Sequence, residues 1–427
     1  MTRRALVVSA SVLAAAVAVS TGIVAFSPSS SRHPEPIAMP AAAATQPPAK
    51  TPLEQAEQSL DQQAAALLRG DEKGWLAVVD TRKPALVAHY RSMFRSLRGL
   101  GVSQFDYRPY IRPGGKGATV VLGATVTYCL SRTRCPDWTA DESSGPPRVE
   151  QQLTLAPIRG HYVITALTKG PQRTRLQPTP WESGDLVFAH GSRVTVAGPK
   201  SQSKNLRRVL AIAEKSARIN DKFAGYVRNP QSRYRVLLAD DKTWKSWYGG
   251  IEGTWTVAYA VPLNDAGTDV VLRMTKLQGD SELLATTIQH ELGHVVTLGG
   301  IGVRDFDEDQ WLTEGIAEYI GWAPKHATAS WRRASVRNAF RGAKRPRTIA
   351  SKPLSDDASD AASDRFYGLG HFAADCMAQQ YGERALFEFV RLTLRADNTY
   401  DQASRDAFGK PFATVDKGCL VWIKNQA

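Results

Sequence analysis

Between positions 280 and 300 the chain reads DSELLATTIQHELGHVVTLGG. Asp280 is a good helix cap, and the Gly299–Gly300 pair is a good stop, so the spacing predicts a helix that begins at Ser281. Leu284, Ile288, Leu292 and Val295 recur at three- and four-residue intervals and form one stripe that must face a core. With that stripe buried, the rest of the helix surface is fixed. His290 and His294 are four apart, about 40° of rotation on a 3.6-residue helix, so both imidazoles leave one face and can meet on one cation. Glu291 sits between them, close enough to reach a water held at the same place. The fold must therefore bring a further donor to this face, because a catalytic zinc-type centre uses three protein ligands and keeps one position open.

A donor is available downstream. The stretch DEDQWLTEGIAEYIGW places Glu314 and Glu318 four apart on a second predicted helix, with an acidic start that should cap it. Nineteen residues separate His294 from Glu314, enough for a loop and a helix that folds back on the first. A carboxylate such as Glu318 is well suited to hold the outer ring nitrogen of a ligating histidine.

The blocks HELGHVVT and WLTEGIAEY resemble the gluzincin zinc metallopeptidases, and the second is similar to the signature of the membrane alanyl aminopeptidase branch. The resemblance implies that His290, His294 and Glu314 bind one zinc ion per chain, that Glu291 is the general base, and that Glu318 steadies a ligand histidine. The stretch DRFYGLGHFAADCMAQQYGERAL resembles the later family helix whose tyrosine steadies the oxyanion, which implies that role for Tyr367; His371, one turn on, is the alternative donor. The chain departs from the aminopeptidase branch in two respects: the spacer before Glu314 is one residue longer, which a loop can absorb, and a glutamate is missing. The strand before the zinc helix, TWTVAYAVPLN, has no glutamate to grip a free amine, which favours endopeptidase action. An extended substrate is expected to add as a strand beside TVAYAV.

The remaining chain predicts an α+β protein. Apolar stripes over LEQAEQSLDQQAAALLRG, DEKGWLAVVD and the segment after Pro84 predict three helices. Period-two patterns in ATVVLGATVTYCL, RVEQQLTLAPI and HYVITALTK predict a curved antiparallel sheet. This order resembles the nuclear-transport-factor-two-like, cystatin-like layout. Strands around GDLVFAH, SRVTVAG, RYRVLLAD, TWTVAYAVP and TDVVLRMT, with a helix over KNLRRVLAIAEKSARINDKFAG among them, predict a small second sheet, and mostly helices follow. The expected domains are 53–175 and, for the gluzincin-like part, 176–427. No internal repeat of solenoid length is present.

At the N-terminus, Arg3 and Arg4 precede an uncharged run at 5–26 that is long enough for a bilayer span. This predicts a single-pass cell-membrane protein with its catalytic part outside; a cleaved secretory signal, and hence a secreted protein, is the alternative. Residues 27–52 read as a disordered Pro/Ala/Ser linker. The four cysteines suit an oxidising compartment, and the pairs Cys129–Cys135 and Cys376–Cys419 would each close within one half of the chain. The formal charge of +13 favours anionic neighbours such as anionic lipid or wall polymer, while the chain carries no nucleic-acid motif. The expected partner of the site is a peptide or protein substrate. The competing reading is a catalytically silent peptidase-fold binding or scaffold protein.

Overall fold

The computed structural model describes residues 50–427 except 132–134, 171–173, 251–255, 344 and 356–357. Three helices come first: α1 (Pro52–Arg69), α2 (Glu72–Ala77) and α3 (Pro84–Gly99). Thr51 and Glu54 form a reciprocal cap at the start of α1, and left-handed Gly70 ends it. The strands β1 (Val102–Ile111), β2 (Val120–Leu130), β3 (Arg148–Ile158) and β4 (His161–Lys169) then pair in sequence order as an antiparallel sheet.

The second sheet has five strands in the order β5-β6-β7-β9-β8. They are β5 (Leu186–His190), β6 (Val194–Pro199), β7 (Tyr234–Ala239), β8 (Ala258–Pro262) and β9 (Thr268–Arg273). Helix α4 (Leu206–Tyr226) crosses from β6 to the parallel β7, and the short α5 (Asp241–Trp244) and α6 (Met274–Leu277) flank the sheet's later strands. The remaining helices are α7 (Ser281–Leu298), α8 (Gln310–Trp322), α9 (Arg333–Arg341), α10 (Asp360–Tyr381), α11 (Glu383–Val390), α12 (Tyr400–Phe408) and α13 (Phe412–Gln426). The α+β expectation holds, with the refinement that the second sheet is mixed: β6–β7 and β7–β9 are parallel, and β5 and β8 close the edges antiparallel.

This sheet is the shared wall of the molecule. Strand β7 is buried at every position because both of its faces are covered, which is why it reads YRVLLA without polar alternation. Val236 and Leu238 join the core under α4, α7, α8 and α10, while Leu237 and Ala239 point the other way and pack with the α1–α3 and β1–β4 layer. Lys50–Ala427 accordingly forms one compact unit. The expected division at 175/176 falls between β4 and β5. On the inner face a buried ion pair ties the two sheets together. Arg235 pairs with Asp269 at 2.5 Å and donates to the Leu130 carbonyl at 3.1 Å, and Tyr248 donates to the other Asp269 oxygen at 2.7 Å.

Both expected disulfides, Cys129–Cys135 and Cys376–Cys419, are formed; the second joins α10 to α13. The membrane expectation requires correction. Among the described residues no helix is long and apolar enough to cross a membrane, and the run at 5–26 lies outside them, as does most of the expected linker at 27–52. A single-pass, membrane-anchored protein is therefore not supported.

Candidate metal centre

Helix α7 forms where its pattern requires. The Asp280 carboxylate accepts the amides of Glu282 and Leu283, both at 3.0 Å, and Leu284, Ile288, Leu292 and Val295 are all buried. Its far end stops at Gly299 and left-handed Gly300, as expected, and is held by two side chains as well. Asn229 donates to the carbonyls of Val296 (2.9 Å) and Gly299 (3.0 Å), and Arg395 donates to those of Thr297 (3.2 Å) and Gly299 (2.9 Å). These are carbonyls that a helix end otherwise leaves orphaned.

Helix α8 then turns back across α7. Small residues permit the approach: a Cβ on Gly293 would lie 3.4 Å from the Ala317 backbone, and one on Gly321 would lie 3.1 Å from the His290 Cβ. The acidic start of α8 does not cap it as expected. Asp309 makes no side-chain cap bond; its carboxylate instead accepts the Tyr400 hydroxyl at 2.5 Å. Helix α10 crosses α8 at a glycine pair, where a Cβ on Gly370 would fall 2.9 Å from the Gly315 Cα. That close crossing carries Tyr367, one turn earlier on α10, to the ligand side of α8.

The three expected donors meet. His290 Nε2 and His294 Nε2 are 3.1 Å apart, and Glu314 Oε2 lies 3.3 Å from the first and 3.4 Å from the second. They are the one group of three or more His, Cys, Asp or Glu side chains with metal-binding spacing among the described residues. Glu318 Oε1 lies 3.1 Å from His290 Nδ1. Glu318 thus accepts from Nδ1–H and orients the ring so that Nε2 faces the other donors. Glu318 is itself held by Arg332 at 2.7 Å, and Arg332 extends to Asp364 at 3.3 Å and lies over the Tyr367 ring at 5.3 Å.

The electrostatics follow from burial opposed by close charges. Burial works against charge on His290, but Glu314 and Glu318 outweigh it and push the imidazole up to about 10. Burial would likewise raise Glu314, yet His294 and His290 hold it well below the usual carboxylate range. Glu291 goes the other way. Burial raises it, and its Oε2 has no hydrogen-bond partner among the described residues. Tyr367 is pushed well above the ordinary phenol range by burial and the neighbouring carboxylates, so its hydroxyl remains a proton donor at neutral pH. Its ring centroid is 6.2 Å from that of His290.

These groups open on a cavity of about 660 Å³, lined by β8, α7, α8, the loop at 304–307 and the first two turns of α10. His290, Glu291, His294, Glu314, Glu318 and Tyr367 all line it. His371 does not: it is fully buried 6.3 Å from the Trp322 ring, burial pushes it down to about 4, and neither ring nitrogen has a partner among the described residues. Arg332 was not foreseen. It lies in a short basic stretch with Arg333, Arg337 and Arg341, and no local pattern separates it from solvent-facing neighbours.

No protein-family model matches the chain, and no curated protein matches it. Among solved structures, the crystal structure of a two-domain M1 zinc metallopeptidase, a point mutant bound to L-arginine, aligns with a TM-score of 0.32 and 14% identity. The alignment covers 63% of this chain and 58% of that one, so the chain spans less than two thirds of that protein's length. It is a distant likeness to a metallopeptidase fold.

Proposed function

We propose that the chain is a zinc-dependent metallopeptidase that hydrolyses peptide bonds, with His290, His294 and Glu314 as ligands and Glu291 as general base. The donor set fits the ion. Four ligands placed tetrahedrally at about 2.05 Å stand about 3.3 Å from one another, and the three edges here measure 3.1, 3.3 and 3.4 Å. Two imidazoles and one carboxylate also form a set with one corner left over, the pattern of catalytic rather than structural zinc. Zinc held there supplies Lewis acidity toward a carbonyl oxygen and toward water.

The chain's own residues do the rest. Glu291 accepts a proton from the attacking water and returns it to the leaving amine; its raised pKa improves it as a base near neutrality. Tyr367 donates a hydrogen bond to the oxyanion, an interaction that typically contributes a few kcal/mol. Glu318 and Arg332 hold His290 in the correct tautomer. Strand β8 is a sheet edge beside the cavity, so it presents free backbone groups to an extended peptide. Its described residues include no glutamate to grip a free amine, which favours endopeptidase action. The two disulfides fit a protein that works in an oxidising compartment.

One observation carries this reading: a buried carboxylate, Glu291, is left unpartnered beside the histidine pair at the wall of a cavity. Leaving it so costs stability, and a catalytic role accounts for that cost. The test is Glu291→Gln assayed on a casein or peptide library. Turnover should fall by about 10²- to 10⁴-fold while the metal is retained. Cleavage at the wild-type rate would refute the assignment.

A further inference from the structure

Beyond the metal centre, the cavity has a wall whose charge opposes that of the whole molecule. The first two turns of α10 present Asp360, Ser363, Asp364 and Tyr367 to it, at the spacing that puts four residues on one helix face. Asp305 and Asp307 lie on the facing loop. Two arginines also line the cavity and both are engaged: Arg332 with Glu318 and Asp364, and Arg304 near Asp397 at 3.8 Å. The lining apart from the metal centre is thus net acidic, in a chain of formal charge +13.

Acidic residues at a helix start have a local use, since they complement the helix dipole. Ser359 already caps α10, and Asp360 can serve the dipole from its first turn. Neither explains Ser363. The residue lines the cavity, and its hydroxyl is buried with no hydrogen-bond partner among the described residues. The same cavity has an aromatic wall in which the rings of Trp322 and Trp331 meet edge to face at 4.7 Å. That wall accepts cations already: the Arg332 guanidinium lies 5.2 Å from the Trp331 ring and Lys325 lies 5.8 Å from that of Trp322.

Taking the peptidase reading as given, we infer that this wall is a subsite for a lysine or arginine side chain of the substrate next to the scissile bond. Distance supports the assignment. Asp360 lies seven residues from Tyr367 on the helix, roughly 10 Å along its axis, and Asp364 and Ser363 lie roughly 5–6 Å along it. A residue whose carbonyl faces Tyr367 therefore has its side-chain ammonium or guanidinium at the level of Ser363 and Asp364, with Asp360 beyond. The Ser363 oxygen accepts from the cation, Asp360 and Asp364 balance its charge, and Trp331 covers its methylenes.

The test uses the full chain and paired peptides that differ only by lysine or norleucine, placed in turn on either side of the cleaved bond. At one of these positions kcat/KM should favour lysine by about three- to tenfold, the range for a partly exposed charge contact, and added salt should reduce the ratio. Asp360→Asn and Ser363→Ala should each bring the ratio toward unity. Equal wild-type rates at both positions would overturn the inference and leave the peptidase reading standing. If no peptide is cleaved, the peptidase reading fails, and the subsite is judged by affinity on Glu291→Gln: tighter binding of the lysine peptide upholds it, and equal binding overturns it.

Discussion

Two buried charge clusters lie on opposite faces of the five-stranded sheet, and they are finished differently. On the face toward β1–β4, Asp269 is closed off: Arg235 takes one oxygen, Tyr248 takes the other, and Arg235 reaches on to the Leu130 carbonyl. On the face under α7, His290 Nε2, His294 Nε2 and Glu314 Oε2 crowd within 3.1–3.4 Å of one another, and Glu291 keeps an oxygen with no partner among the described residues. A cluster that only joins two sheets gains from satisfying every polar atom. A cluster that binds and reacts must leave some atoms free, and it loses stability in doing so. The second cluster has the openness that a binding and reacting site requires, and the first does not.

The comparison breaks first at Glu291. Glu291→Gln should lower turnover by about 10²- to 10⁴-fold, yet leave the melting temperature unchanged or raised, because it removes an unpaired buried charge. Asp269→Asn should do the reverse. It uncovers Arg235 and should cost about 3–5 kcal/mol in a denaturant titration, with little change in activity per folded molecule. Between these extremes, Glu318→Gln should weaken metal affinity by about 10- to 100-fold, measured by chelator competition, through loss of the hold on His290. Gly370→Ala should cost about 1–3 kcal/mol and lower turnover, because its Cβ would meet the Gly315 backbone and push Tyr367 away from the ligands.

The mildest intervention is a change of pH. A base must be deprotonated to work, and burial raises Glu291, so activity should fail on the acid side at a pH above the ordinary glutamate range. Protons also compete with the metal for His290, which its carboxylates push up to about 10. Metal affinity should therefore fall as pH drops, by about tenfold per unit for each proton displaced. An affinity independent of pH between about pH 6 and about pH 8 would contradict this.

Much of this site is legible in the sequence because its ligands sit on two helices at four-residue spacing, and helical spacing is local. His290, His294, Glu314 and Glu318 converge as their positions imply. The α+β class is legible because period two in β3 and period 3.6 in α1 are both local patterns, and the disulfides because each pair stays within one part of the chain. What is not legible depends on crossings. Arg332 reaches Glu318 only because α8 and the segment before α9 are brought side by side, and no residue near Arg332 announces that. Asn229 and Arg395 hold the end of α7 from 66 to 98 residues away along the chain. The cap expected at α8 fails because Asp309 has a better partner in Tyr400, which arrives from α12. His371 shares the helix of Tyr367, yet packs into the core instead of the cavity.

The central claim is that three side chains from two helices hold one catalytic ion. Elemental analysis of the purified protein, beside Glu291→Gln and Glu314→Ala, tests it most directly. The account predicts one zinc ion per chain in the wild type and in Glu291→Gln, and close to none in Glu314→Ala. Zinc absent from all three, or retained in full by Glu314→Ala, would contradict it.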